Sequence, residues 1–346
     1  METNNNLFKE AYNLKIKHRG PKVYFRGLIE ISNVCAKNCL YCGIRKGNPC
    51  VDRYVLPDNQ VLESARFAIE AGYGSIALQG GERQDSEWVE RIARLIREIK
   101  ALGKNSHQLG ITLSLGEQSK EVFRHWKESG ADRYLLRIEA SDEQLYSKIH
   151  PSGTKNHSYS TRLQALYDLK SAGYLLGTGV MIGLPYQTRV NLDNDLKFFK
   201  ELEVDMVGMG PYIPHELTPL GKLVAQWKQD KESTEFRGDF WNLSDKQLLN
   251  LSLEMVARLR CLMPHINIAA TTALQVLDPL GREKAIMAGA NVIMPNITVT
   301  EAKRNYNLYE GKPGLQDDAQ ATKDFLLKNL ESVGAEVGWN ERGDWR

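Results

Sequence analysis

The chain has almost no net charge with which to hold a polyanion. Its 45 Lys and Arg stand against 43 Asp and Glu, a formal +2 over 346 residues, too balanced for a nucleic-acid or membrane-surface footprint. No apolar run approaches the ~20 residues that cross a bilayer. The opening METNNNLFKEAYNLKIKHRG lacks the basic, apolar and small-residue regions of a secretory signal. A cytoplasmic protein with neither membrane nor nucleic-acid partners is the expectation. Cysteine is scarce, and the five present, at 35, 39, 42, 50 and 261, are odd in number and unevenly placed, which argues against a disulfide framework and for a metal or redox site. Internal repeats, low-complexity tracts and an obvious linker are also absent. With 42% hydrophobic and 25% charged residues, the chain falls in the ordinary globular range and can bury a substantial core.

Eight short runs, mostly β-branched or aliphatic, read as buried parallel strands. They are Tyr24 to Ile31, Ser75 to Leu78, Ile111 to Leu115, Tyr134 to Ile138, Gly179 to Ile182, Met206 to Met209, Ile266 to Ala269 and Val292 to Met294. Between them lie apolar residues at helical spacing, such as Val61, Leu62, Ala65, Ala68 and Ile69, then Val89, Ile92, Leu95, Ile96 and Ile99. Asp58 and Asp142 are placed to cap helices, and Gly72, Gly103, Gly130 and Gly173 to end them. Eight βα units with right-handed crossovers predict an α/β fold, a single-domain (β/α)8 barrel of TIM type, with chemistry at the C-terminal ends of its strands. An open doubly wound sheet is the competing architecture. The expected division is an N-terminal helical segment over 1–23, the barrel over 24–310, and a covering helix and tail over 311–346. Glu216 to Leu243 reads as the longest irregular insertion, where a lid or partner-binding loop would sit.

Three of the cysteines form Cys35-Ala-Lys-Asn-Cys39-Leu-Tyr41-Cys42, a CxxxCxxC directly after the first strand. Thiolates suit iron–sulfur clusters, and three ligands leave one iron with an open position that a substrate can occupy. A structural zinc site would close with a fourth ligand, for which Cys50 is the nearest candidate. Three reduced structural thiols are the remaining alternative, although free cysteines are usually buried hydrophobes and these lie among Lys37, Asn38 and Lys46. Cys261 reads as an ordinary helix residue.

With an aromatic before its last cysteine, this motif after the first strand of a barrel resembles the radical S-adenosylmethionine (SAM) superfamily. The resemblance implies an enzyme whose [4Fe-4S] cluster, on Cys35, Cys39 and Cys42, binds SAM at its unique iron and cleaves it reductively. Gly80-Gly81-Glu82 after the second strand resembles the segment that meets the SAM amino group. Glu139 at the end of the fourth strand resembles the acid that bonds the ribose, and Arg162 the arginine that pairs with the SAM carboxylate. Tyr41, Met181, Tyr306 and Tyr309 complete the implied SAM site. Taken without the resemblance, paired glycines are a common turn, Glu139 could form a surface ion pair, and Arg162 could be a solvated helix residue.

Within that superfamily the chain is most similar to the HydE-type [FeFe]-hydrogenase maturases. The resemblance rests on SNVCAKNCLYCGIR (Ser32 to Arg45), LSLGE (Leu113 to Glu117), GADRYLLRIE (Gly130 to Glu139), MIGLPYQT (Met181 to Thr188), DMVGMGPYIPHELTPL (Asp205 to Leu220), AATTA (Ala269 to Ala273) and GANVIMPN (Gly289 to Asn296). Biotin synthase and methylornithine synthase are less similar. The resemblance implies an anionic organometallic substrate in the barrel, an iron with carbonyl, cyanide and cysteine ligands, held near Arg26, Thr112, Arg133, Arg137, Met206, Thr271 and Thr272. It also implies an electron donor such as ferredoxin or flavodoxin, and other hydrogenase maturases as partners. Arginines in strands are costly to bury unpaired, so Arg26, Arg133 and Arg137 predict bound anions, with carboxylates such as Glu30, Glu117 and Glu139 as the alternative partners. Some HydE-type members carry a second cluster on C-terminal cysteines; Lys312 to Arg346 contains none, so no auxiliary cluster is expected.

Overall fold

The structure, a computed structural model, describes residues 2–103, 108–151, 157–230, 232 and 234–345. Its strands are β1 (Lys22–Ser32), β2 (Ser75–Gly80), β3 (Gly110–Ser114), β4 (Arg133–Leu135), β5 (Leu175–Thr178), β6 (Met181–Ile182), β7 (Met206–Val207), β8 (Gly210–Pro211), β9 (Asn267–Ile268), β10 (Val292–Ile293) and β11 (Glu336–Val337). The main sheet runs β10-β1-β2-β3-β4-β5-β7-β9, every neighbour parallel. A parallel bridge from Ala269 to Val292 joins the two ends, so the eight strands close into the expected barrel and the open-sheet alternative falls.

Period-two alternation sorts the strand residues. On β1 the side chains of Val23, Phe25, Ile29 and Ile31 join the core between barrel and helices. The helix Ser86–Leu102 seals that side with Trp88, Val89, Ile92, Leu95, Ile96 and Ile99, capped by Asp85 on Trp88 N. The intervening positions Arg26 and Glu30 are buried on the other face, inside the barrel.

Several expectations are corrected. The fifth expected run, Gly179 to Ile182, lies beyond the barrel strand, which is Leu175–Thr178, and the sixth does not form one continuous strand. The chain breaks after Thr178 and Val207, and β6 and β8 pair as a separate ribbon. Gly179 passes so close to the Gly208 carbonyl that no Cβ fits there. Asp58 does not cap its helix, since Pro57 stands at that position; its carboxylate instead pairs with Arg91 at 2.6 Å and Arg94 at 2.8 Å. Asp142 does cap, accepting from Leu145 N at 2.7 Å. The segment expected to be irregular contains a helix, Pro219–Gln229, capped by Thr218 and burying Leu220, Val224 and Trp227; Lys231 and Ser233 of that segment lie outside the described residues. Among the described residues no helix is long and apolar enough to cross a membrane.

The C-terminal residues do more than cover the barrel. After the helix Ala319–Ser332, β11 pairs with the start of β1, and the tail crosses the N-terminal end of the barrel. Asn340 N bonds Gly72 O at 2.7 Å, Arg342 meets Asp132 at 3.3 Å, and Trp345 stacks on His265.

One buried acid carries a stability prediction. Asp195 accepts from Ser141 N at 2.9 Å and from its hydroxyl, while Oδ2 has no partner. Burial pushes its carboxyl up to about 7. A folded-state pKa above the unfolded one means the folded protein holds the extra proton, so stability falls as pH rises from about 4 to about 7, by on the order of 4 kcal/mol at most. Asp195→Asn keeps the Ser141 contacts and is expected to flatten that slope, as read by urea unfolding at pH 5 and pH 8.

Candidate active site at the C-terminal mouth of the barrel

The residues following β1 form a loop held from every side. Arg53 donates to the carbonyls of Asn33 and Ile44, both at 2.7 Å. Gly43 N bonds Leu308 O at 3.0 Å and Leu40 N bonds Ile149 O at 3.0 Å. Its first turn is clamped to the end of β2: Ala36 N donates to Glu82 O at 2.8 Å, Gly81 N to Ser32 O at 2.8 Å, and Glu82 N to Cys35 Sγ at 3.4 Å. A Cβ on Gly81 would run into the Val34 carbonyl and lie 2.8 Å from Cys35 Cβ. The second glycine is therefore required by the close approach of two backbones, not by a turn.

All three motif cysteines are free thiols, and Cys39 is buried. Burial pushes the Cys39 thiol up to about 12 and raises those of Cys35 and Cys42 as well. Among the described residues no three His, Cys, Asp or Glu side chains converge on a point where one ion would sit, and Cys50 is exposed, so a four-ligand zinc site with Cys50 is not formed. Three thiols from one loop suit a polynuclear group, whose thiolates bind separate irons.

Beside the loop lies a buried set of charges. Lys37 Nζ is 2.7 Å from Glu117 and 3.3 Å from Glu82, and Arg162 Nε bonds the other oxygen of Glu117. Arg162, on the helix Tyr159–Ser171 capped by Ser158, also donates Nη1 to Arg137 O at 2.6 Å. It is buried, not a solvated helix residue. Glu139 sits at φ +66, a left-handed conformation uncommon for glutamate. It is pinned there by bonds from Glu139 N to Gly179 O at 3.0 Å and from Met181 N to Glu139 O at 3.1 Å. Strained backbone of this kind is concentrated at functional sites. Its carboxylate pairs with Arg137 at 2.9 Å, which answers the charge of that arginine internally.

Met181, Leu40 and Tyr41 pack against one apolar cluster that includes Ala140, Leu184 and Tyr212, and Tyr41 reaches His150 Nε2 at 3.4 Å. Tyr306 is buried and takes a bond from Gln79 at 3.3 Å, and Tyr309 is half-buried near Glu30, Arg282 and Arg137. Lys312 closes over Tyr306 and pairs with Glu30 inside the barrel at 2.5 Å. All of the residues expected at the SAM site are thus brought to one end of the barrel.

The expected substrate residues divide. Arg26, Thr112, Arg133 and Met206 line one small void toward the N-terminal end, together with Asp344 and Trp345. Arg133 is held by Asp344 through Nε at 2.6 Å and through Nη2, so the chain's own tail supplies the anion that the sequence reading assigned to a ligand. Arg26 lies 3.8 Å from Asp344 through Nη2, donates Nη1 to Met206 Sδ, and makes no hydrogen bond at Nε or Nη2. The Thr112 hydroxyl is also unpartnered. Thr271 donates to Met209 O at 3.2 Å, and Thr272 lines a second cavity of about 110 Å³ with Arg282, Met294 and Lys312. Sequence reasoning missed His150, His157, which accepts from Asn38 N at 2.8 Å, and Asp344. The histidines lie in no motif, and nothing local in the sequence shows where a tail ends up.

A barrel with three thiols after β1, clamped to a Gly-Gly-Glu after β2, and with a strained glutamate after β4 has the layout of a radical SAM enzyme. The sequence model of the Radical SAM superfamily matches residues 29–211. The chain is 41% identical over 342 residues to the [FeFe] hydrogenase maturase subunit HydE of Thermotoga maritima, covering 98% of this chain and 89% of that one. It is 27% identical to the 3-methylornithine synthase of Methanosarcina acetivorans over 95% of this chain and 84% of that one. Among solved structures, methylornithine synthase (PylB) superposes with a TM-score of 0.78 at 23% identity, covering 98% of this chain and 90% of that one. The maturase HydG superposes with 0.75 at 22% identity, covering 96% and 68%. The chain belongs to the radical SAM superfamily and, within it, to the HydE type.

Proposed function

We propose that Cys35, Cys39 and Cys42 hold one [4Fe-4S] cluster, and that the enzyme acts in [FeFe]-hydrogenase maturation on an anionic iron–carbonyl–cyanide–cysteine substrate inside the barrel. When bound, cluster and SAM supply a one-electron cleavage that gives methionine and a 5′-deoxyadenosyl radical. The protein's own work is binding, orientation and exclusion of water.

In this reading the carbonyls of Gly80, Gly81 and Glu82 receive the SAM amino group, Arg162 the carboxylate and Glu139 the ribose. Tyr41, Met181, Tyr306 and Tyr309 wall the site. The observation that carries it is three thiols from one loop, Cys39 among them buried, Glu139 in a left-handed conformation and a buried arginine with Nη2 uncommitted, all at one barrel mouth. A guanidinium fork is the natural partner of a carboxylate. Arg26, which makes no hydrogen bond at Nε or Nη2, supports an anionic substrate deeper in the barrel, with Thr112, Arg137, Met206, Thr271 and Thr272 along the interior. Arg133 then serves the tail, not the substrate. Residues 24–310 make up the catalytic barrel, flanked by 1–23 and 311–346. A small reductant such as ferredoxin or flavodoxin and the other maturases are its partners.

The test is 5′-deoxyadenosine formation by reduced, cluster-loaded protein with SAM, with and without a synthetic iron–dicarbonyl–cyanide–cysteine complex. The complex is expected to raise the yield at least tenfold. Stimulation by a free amino acid and none by the complex would replace this substrate with an amino-acid-derived one.

A further inference from the structure

The mouths of β1 to β4 are joined by one line of charges. Lys37, between two of the motif cysteines, reaches Glu117 after β3 and Glu82 after β2. Glu117 gives Oε2 to Lys37 and Oε1 to Arg162; Arg162 bonds the carbonyl of Arg137, and Arg137 pairs with Glu139. The side chains of Lys37, Glu82, Glu117 and Arg162 are each less than a tenth exposed. Two cations and two anions balance, which offsets the desolvation of four buried charges.

Balance alone would not require this order. Glu117 stands between the cations with one oxygen for each. Its position is built into the backbone: Gly116 has φ +78, a Cβ there would collide with the Glu82 carboxylate, and Glu117 N donates to Glu82 Oε2 at 2.8 Å. Arg162 is fixed at Nε and Nη1, so its planar fork has one remaining direction for Nη2. Among the described residues nothing takes up that donor.

We infer that Glu117 is a positioning residue for SAM: it sets the guanidinium of Arg162 so that Nη2 faces the SAM carboxylate, and through Lys37 it locks that geometry to the cysteine loop. The inference rests on the reading of Arg162 as the carboxylate partner. In this arrangement Glu117 acts on SAM through Arg162.

Equilibrium dialysis on cluster-loaded, unreduced protein separates these claims, with SAM and decarboxylated SAM as the two probes. The wild type is expected to favour SAM. Glu117→Gln is expected to bind SAM at least tenfold more weakly, decarboxylated SAM within twofold of wild type, with iron and sulfide content unchanged. Lys37→Met/Glu117→Gln restores the charge balance, so its unfolding midpoint is expected to recover while its SAM affinity does not; a role in charge balance alone would restore both. Should the single variant fail to fold, the double variant carries the comparison. Unchanged SAM affinity in Glu117→Gln, equal weakening toward both probes, or recovered affinity in the double variant overturns the inference. A wild type indifferent to the carboxylate instead removes Arg162 from its role, and the inference with it.

Discussion

Cys39→Ala is expected to abolish cluster assembly and SAM cleavage while leaving the barrel folded. Cys39 is the middle thiol of the motif and lies in a loop anchored by backbone bonds and by Arg53, not by its own side chain. Removing one small side chain from such a loop costs about 1–2 kcal/mol. Removing one of three ligands, by contrast, leaves an iron without its thiolate. Iron and sulfide analysis with circular dichroism separates the two effects: iron should fall to background with the far-ultraviolet spectrum unchanged. A variant that still cleaved SAM would take the cluster away from this loop.

Asp344→Asn is expected to cost about 3–5 kcal/mol, the scale for breaking a buried ion pair by removing one partner. Its carboxylate faces Arg133 through two bonds, with Arg26 at 3.8 Å. Neutralising it leaves two guanidinium groups side by side in a void with almost no room for solvent, where burial and Arg133 already disfavour the charge on Arg26. Urea unfolding should register the loss. Iron content should be untouched, since the cluster loop lies at the opposite end of the strands.

That separation of the two ends shows what the sequence disclosed and what it hid. The strands were legible because parallel strands buried on both faces are continuous apolar runs bounded by helices, and the cysteine motif because its spacing is a chemical constraint. Depth within the barrel was not legible. Arg133 and Arg137 fall on one face of one stretch, yet at about 3.3 Å per residue they stand about 13 Å apart: the first meets the tail, the second Glu139. The helix Pro219–Gln229 was hidden by its lysines and glycine, and is revealed by what Leu220, Val224 and Trp227 pack against. Asp344 could not have been placed, because its partners lie more than 200 residues away. The Lys37–Glu117–Arg162 line had the same difficulty: three charges in three different segments, each ordinary by itself.

The most direct test of the central claim is the stoichiometry of SAM cleavage. After anaerobic reconstitution with iron and sulfide, dithionite reduction in the presence of SAM should yield methionine and 5′-deoxyadenosine in equal amounts, with neither formed when the cluster is omitted. A fully reconstituted cluster that releases neither product would contradict the account and leave this barrel a carrier of iron and sulfur.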